Sequence, residues 1–257
     1  MTRMTTPVKP KDRVLVALDT PDTDKAVALS RQLAGHVGGI KLGLEFFNAA
    51  GPDGVRKVVR AGPEETPRGE APAQQRLFLD LKFHDIPNTV AGAVRSVMPL
   101  GPSILNVHAG GGPAMMKAAL DAANFEAEQL GTVRPMLIAV TVLTSLDDAD
   151  LSAVGQAGPS KDQAVRLAAL ARKAGLDGVV CSSKEIAAIR AECGPDFKLI
   201  VPGIRPAGAA LGDQKRVMTP SEAIAEGADF IVIGRPITGA ENPAAAAKAI
   251  ADELGGA

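Results

Sequence analysis

The stretch "FLDLKFHDIPNT", Phe78 to Thr89, begins as an apolar β-strand and ends in a crowd of charge. Extended back to Arg76, the run "RLFLDLKF" sets Leu79 and Leu81 on one face and Asp80 and Lys82 on the other, because side chains alternate along a strand. The leucine face suits a covering layer of helices. The charged face needs a setting in which each ion has a partner, since a lone buried charge is costly.

Outward from this run, short apolar strands recur on both sides. "RVLVALD" (Arg13 to Asp19) and "GGIKLG" (Gly38 to Gly43) precede it, and "ILNVHA" (Ile104 to Ala109) and "MLIAVTVL" (Met136 to Leu143) follow. "GVVCSS" (Gly178 to Ser183), "KLIVPGI" (Lys198 to Ile204) and "FIVIGRP" (Phe230 to Pro236) complete a set of eight. Segments of helical spacing, such as "DKAVALSRQLAG" and "DQAVRLAALARKAG", lie between them. Eight βα units in 257 residues predict an α/β fold, a (β/α)8 TIM barrel forming a single domain over residues 1–257. An open doubly wound sheet is the alternative, but it usually has fewer strands at this length. Residues 1–12 read as an N-terminal tail. Residues 61–75, "AGPEETPRGEAPAQQ", show no apolar period and read as a surface loop insertion at the bottom of the barrel.

Composition restricts the function classes. With 28 Lys+Arg against 29 Asp+Glu there is no global field to hold nucleic acid or a membrane surface, so a small partner is expected. Cys181 and Cys193 are too few for a disulfide scaffold, and no run approaches the roughly 18 apolar residues of a membrane span. The N-terminal "MTRMTTPVKPKDR" carries charge without an apolar segment after it. A cytoplasmic location is expected.

In such a barrel the chemistry sits at the C-terminal ends of the strands. Asp19 ends the first strand, Lys41 lies on the second, and Asp80 and Lys82 end the third, so four alternating charges converge on one mouth. Such a lattice also suits simple closure of the barrel end, but every member falls on the catalytic rim. "PGIRP" (Pro202 to Pro206) and "IGRP" (Ile233 to Pro236) put Arg205, Gly234 and Arg235 after the seventh and eighth strands, the usual phosphate sector of the fold. Glycine admits backbone N–H groups and an arginine fork matches phosphate oxygens, with Gln214 as a further donor, although solvated surface arginines are common. "TVLTS" (Thr141 to Ser145) offers hydroxyls for helix capping or for a ligand, with neither use favoured. His36, His84 and His108 show no metal-ligand spacing, and "HAGGGP" (His108 to Pro113) lacks the dinucleotide pattern and reads as a tight turn.

The segments "ALD", "IKLGLE", "FLDLKFHDIPNT", "VTVLTS", "PGIRP", "GDQKRVMTP" and "VIGRP", in this order over nearly the whole chain, resemble the orotidine 5′-phosphate decarboxylase family. The DxKxxD element alone is shared with sugar-phosphate decarboxylase and hexulose-phosphate synthase barrels, which use magnesium. The resemblance implies decarboxylation of orotidine 5′-monophosphate to uridine 5′-monophosphate in pyrimidine biosynthesis, with no cofactor and no metal. It further implies that Asp19 and Lys41 hold the ribose, that Asp80 faces the substrate carboxylate and that Lys82 protonates C6. Asp85 and Thr89 would enter the neighbouring site of a homodimer, Thr144 would meet the pyrimidine, and Gln214, Gly234 and Arg235 would hold the phosphate beside Arg205. A barrel that only binds a phosphorylated metabolite as a sensor needs the phosphate clamp but not Asp80 and Lys82 together.

Overall fold

The computed structural model describes residues 9–61, 75–206 and 218–256. Its centre is a closed barrel of eight parallel strands in sequential order. These are β1 (Val14–Ala17), β2 (Gly39–Gly43), β3 (Arg76–Phe83), β4 (Ile104–His108), β5 (Met136–Val140), β6 (Gly178–Val180), β7 (Lys198–Pro202) and β8 (Phe230–Ile233). Closure runs through β1 against β8, with Leu15 opposite Val232. The doubly wound alternative is thereby excluded.

Helices cover the barrel: α1 (Thr23–Leu33), α2 (Leu44–Arg60), α3 (Pro87–Val97), α4 (Gly112–Leu130), α5 (Asp148–Ala153), α6 (Ser160–Lys173), α7 (Ile186–Cys193), α8 (Pro220–Ala225), α9 (Arg235–Thr238) and α10 (Pro243–Gly255). Local chemistry sets their ends. The Asp22 side chain accepts the N–H groups of Asp24 and Lys25 at the start of α1, and Asp147 and Asp150 form a reciprocal capping box on α5. Gly51 (φ 62°) and Pro52 break α2, where a helical backbone cannot continue.

The two faces of each strand feed two cores. Leu15, Phe78, Ile104, Ile138, Ile200 and Val232 fill the interior, while alternate residues such as Leu79, Leu105, Val179 and Ile231 pack under the helices. Leu79 and Leu81 both join the helix layer, as the alternation predicts. Gly39 permits close packing inside: a Cβ there would stand 2.5 Å from the Arg76 carbonyl oxygen. At the bottom, Asp177 takes a two-pronged bond from Arg134 (2.6 and 2.8 Å) and the Leu137 N–H, and Asp229 pairs with Arg190 and Lys198. Charges at this end tie strand starts together and leave the top free for chemistry.

Several strands are shorter at their C-terminal ends than the apolar runs predict. Leu18, Val142, Cys181 and Ile204 are buried yet lie past the strand ends, with Leu18 and Cys181 still donating one N–H each to a neighbouring strand and Val142 and Ile204 lying farther out. An apolar run reports burial, and the rim keeps burying side chains after its strands have diverged into loops. The end of the predicted tail and Arg13, the first residue of the predicted first strand, form a turn of 3-10 helix, Pro10–Arg13, with Pro10 close to Gly255 of α10. Most of the 61–75 insertion, residues 1–8 of the tail and Gln214 lie outside the described residues.

Candidate active site

A cavity of about 330 Å³ opens at the C-terminal end of the barrel, within the range of small-ligand sites. Ala17, Phe78, Val140, Val180 and Val232 contribute apolar surface to it. Its polar wall is made of Asp19, Lys41, Asp80 and Lys82 from the first three strands and their ends, and of Arg205, Gly234 and Arg235 from the last two. Thr144 reaches it from the loop after β5.

The four charges form one chain of ion pairs. Lys41 Nζ stands 3.2 Å from both Asp19 Oδ1 and Asp80 Oδ2, and Lys82 Nζ stands 2.7 Å from Asp80 Oδ1. Lys41 and Asp80 are buried at 9% and 7% exposure, so their charges depend on each other and on their neighbours Asp19 and Lys82. Burial by itself depresses the Lys41 ammonium, but Asp80 and then Asp19 outweigh it and hold it above the usual lysine range. Burial likewise pushes Asp80 up, and Lys41, then Lys82, with hydrogen bonds from Lys82 and Asn106, bring it below the usual carboxylate range. The result is a fixed alternation of charge, buried at Lys41 and Asp80 and open to water at Asp19, beside an open cavity.

Lys82 reaches this position by an unusual backbone. Its φ is 50°, and the β3–β4 register shifts between Leu79 and Phe83. Alternation alone therefore does not aim Lys82; an irregularity in β3 does. Asn106 of β4 supports it, accepting the Lys82 N–H at 2.8 Å and donating to Asp80 Oδ1 at 2.7 Å. Sequence reasoning passed over Asn106. The available signal was an amide at an inward position of the apolar run "ILNVHA".

On the other side of the mouth, β7 and β8 are adjacent, with Pro202 opposite Val232, which brings the loops bearing Arg205 and Arg235 to one sector. Gly234 leads into α9, the short additional helix that often marks the phosphate sector of this fold. Arg205 is 8% exposed, so it is no solvated surface arginine.

The hydroxyl at Thr141 serves neither of its two predicted uses: it is buried and donates to the Val180 carbonyl at 3.0 Å, tying β5 to β6. The "HAGGGP" segment is a 3-10 turn, Ala109–Gly111, running into α4. Above it His84 and His108 stack with centroids 5.2 Å apart. Burial, then His84 and Lys82, lower the His108 imidazole. Asp85 and Thr89 are exposed and do not line the cavity of their own chain; Asp85 Oδ1 accepts the Ile86 N–H. Among the described residues no group of three or more His, Cys, Asp or Glu gathers in a way that holds a metal ion, and no helix is long and apolar enough to cross a membrane.

The family model described as "Orotidine 5′-phosphate decarboxylase / HUMPS family" matches residues 12–250. The chain belongs to this family. A relative from Rhodospirillum rubrum named orotidine 5′-phosphate decarboxylase is 59% identical over 243 residues, covering 95% of this chain and 94% of its own. One of the same name from Moorella thermoacetica is 54% identical over 245 residues, with coverage of 95% and 92%. Among solved structures, orotidine 5′-phosphate decarboxylase from Lactobacillus acidophilus superposes with a TM-score of 0.78 at 37% identity, covering 94% of this chain and 98% of that one. Family membership accords with the barrel and with a charged mouth at its C-terminal end.

Proposed function

We propose that the protein is an orotidine 5′-phosphate decarboxylase, a carboxy-lyase of pyrimidine biosynthesis that acts without metal or organic cofactor and uses Lys82 to protonate C6. The single observation that carries this reading is the Asp19, Lys41, Asp80, Lys82 chain at the mouth of a cavity whose β7–β8 sector holds Arg205 and Arg235. Arg235 and Arg205, with Gly234 and Gln214, bind the phosphate; Asp19 and Lys41 take the ribose hydroxyls; Thr144 meets the pyrimidine. Asp80 faces the substrate carboxylate. Like charges about 4 Å apart at an effective dielectric near 20 repel by about 4 kcal/mol, a cost met by the remote phosphate contacts and relieved as CO2 departs.

Breaking the C6–carboxylate bond leaves its electron pair on C6. The Lys82 ammonium, held 2.7 Å from Asp80, lies where that charge develops; it stabilises the carbanion and then gives it a proton. Water returns a proton to the amine. Asp85 and Thr89, exposed and outside the lining of their own cavity, complete the site of the partner in a homodimer. Metal independence is supported by Lys41, whose ammonium already occupies the place between two carboxylates that a divalent cation otherwise takes.

Release of CO2 from orotidine 5′-monophosphate by the purified protein, with and without EDTA, tests the reading. Equal rates are expected. Activity lost to EDTA and restored by magnesium points to the magnesium-using barrels of the same family, and tight binding without turnover points to a sensor.

A further inference from the structure

The ladder between β3 and β4 is interrupted where the site begins. Leu79 pairs with Leu105, and the next pair is Phe83 with Val107. Asp80, Leu81 and Lys82 thus stand against the single residue Asn106. The surplus backbone makes an irregularity within β3 that includes Lys82 at φ 50°, a left-handed conformation that strains a residue with a Cβ. The Lys82 N–H is turned out of the regular ladder and needs another acceptor.

The Asn106 side chain provides it. Its Oδ1 accepts the Lys82 N–H at 2.8 Å while its Nδ2 donates to Asp80 Oδ1 at 2.7 Å. Asn106 has no exposed surface and does not line the cavity, so it acts through these two neighbours. Both ends of the amide are committed: only its oxygen accepts from an N–H and only its nitrogen donates to a carboxylate. One rigid group thereby sets the backbone that aims Lys82 and one oxygen of the carboxylate that faces it.

We propose that Asn106 is a positioning residue for decarboxylation, an amide clasp that holds the irregular turn of β3 so that the Lys82 ammonium and the Asp80 carboxylate stay in working alignment. The inference rests on the reading of Lys82 and Asp80 given above. A group that served only to satisfy buried polar atoms would affect stability, and would affect ligand binding and turnover together. A clasp acts on turnover, because a misplacement of about 1 Å costs about 10²-fold in rate while remote contacts still bind ligand.

Wild-type protein is assayed first; if it releases no CO2, the functional reading fails irrespective of Asn106. With an active wild type, Asn106→Leu removes both bonds at similar volume. The expected result is a fall in kcat of about 10²-fold, with the affinity for uridine 5′-monophosphate held within about threefold. Asn106→Asp keeps the acceptor for the Lys82 N–H but opposes one carboxylate to another. Protonation of the new carboxyl restores an O–H donor toward Asp80, so the ratio of variant to wild-type kcat should rise about tenfold between about pH 8.5 and about pH 5.5. A pH-independent ratio, or kcat within about threefold of wild type in both variants, overturns the proposal. If Asn106→Leu fails to fold, the pH profile of Asn106→Asp decides alone.

Discussion

Replacing Lys41 by methionine keeps an unbranched stem and deletes the charge between Asp19 and Asp80. Each of those pairs is 3.2 Å apart, and at an effective dielectric near 20 one such pair is worth about 5 kcal/mol before desolvation is subtracted. The two carboxylates lose unequally. Asp19 has 63% of its side chain exposed, so water replaces most of what it gives up. Asp80 has 10% exposed and cannot be rehydrated so easily. Stranding one member of a buried pair costs about 3–5 kcal/mol, and because Lys82 remains 2.7 Å from Asp80 the lower end applies. The expected loss is about 3 kcal/mol, a fall in Tm of about 6–12 °C for a chain of this size.

Urea unfolding near pH 7 at one protein concentration measures it. The double variant Lys41→Met, Asp80→Asn removes the stranded charge and should recover at least about half of the loss, a coupling that additive sites do not show. The pH dependence has a definite sign. Asp80 is held below its usual range, so its contribution is present above the unfolded value of about 3.9 and is lost as pH falls through the folded value. Lys41 is held above its usual range, so its contribution is present below about 10.4 and disappears as pH rises through the folded value. A single variant within about 0.5 kcal/mol of wild type, or strict additivity in the double, would refute the picture of one coupled buried array.

Two further outcomes follow from the division of labour around the cavity. Lys82→Ala should abolish decarboxylation while uridine 5′-monophosphate still binds, whereas Arg235→Ala, which removes a charge-assisted contact worth about 1.5–3 kcal/mol in ground and transition states alike, should act mainly by raising KM at least about tenfold; steady-state kinetics separate the two, and matching losses confined to kcat would contradict the assignment. Lys82→Ala and Asp85→Ala should each be nearly inactive alone, yet mixing equal amounts under subunit exchange should restore about a quarter of wild-type activity, since half of the dimers then hold one intact site of two. No recovery after demonstrated exchange would place Asp85 within its own chain's site.

Much of the fold was legible from local pattern. Period two in "RLFLDLKF" and helical spacing between the apolar runs report which faces are buried, and burial of eight alternating strands leaves few architectures besides a closed barrel. The convergence of Asp19, Lys41, Asp80 and Lys82 was readable for the same reason: residues at strand C-termini share one rim once the barrel is granted. Strand ends were less legible, because Val142 and Ile204 are as apolar as ladder residues but are buried by the rim rather than by pairing. For Thr141 the sequence leaves helix capping and ligand contact equally open; its hydroxyl instead bonds the Val180 carbonyl, a partner 39 residues away.

The sequence by itself determined which residues carry charge, which strand each belongs to and which way most of them face, because those properties depend on residue type and on neighbours two or four positions away. Only the tertiary structure decided how Lys82 is held. Its left-handed backbone and its bond to Asn106, 24 residues distant, arise from a mismatch between two adjacent strands. Register between strands is a property of the closed barrel, set when every strand must pair on both sides at once, and no single stretch of chain contains it.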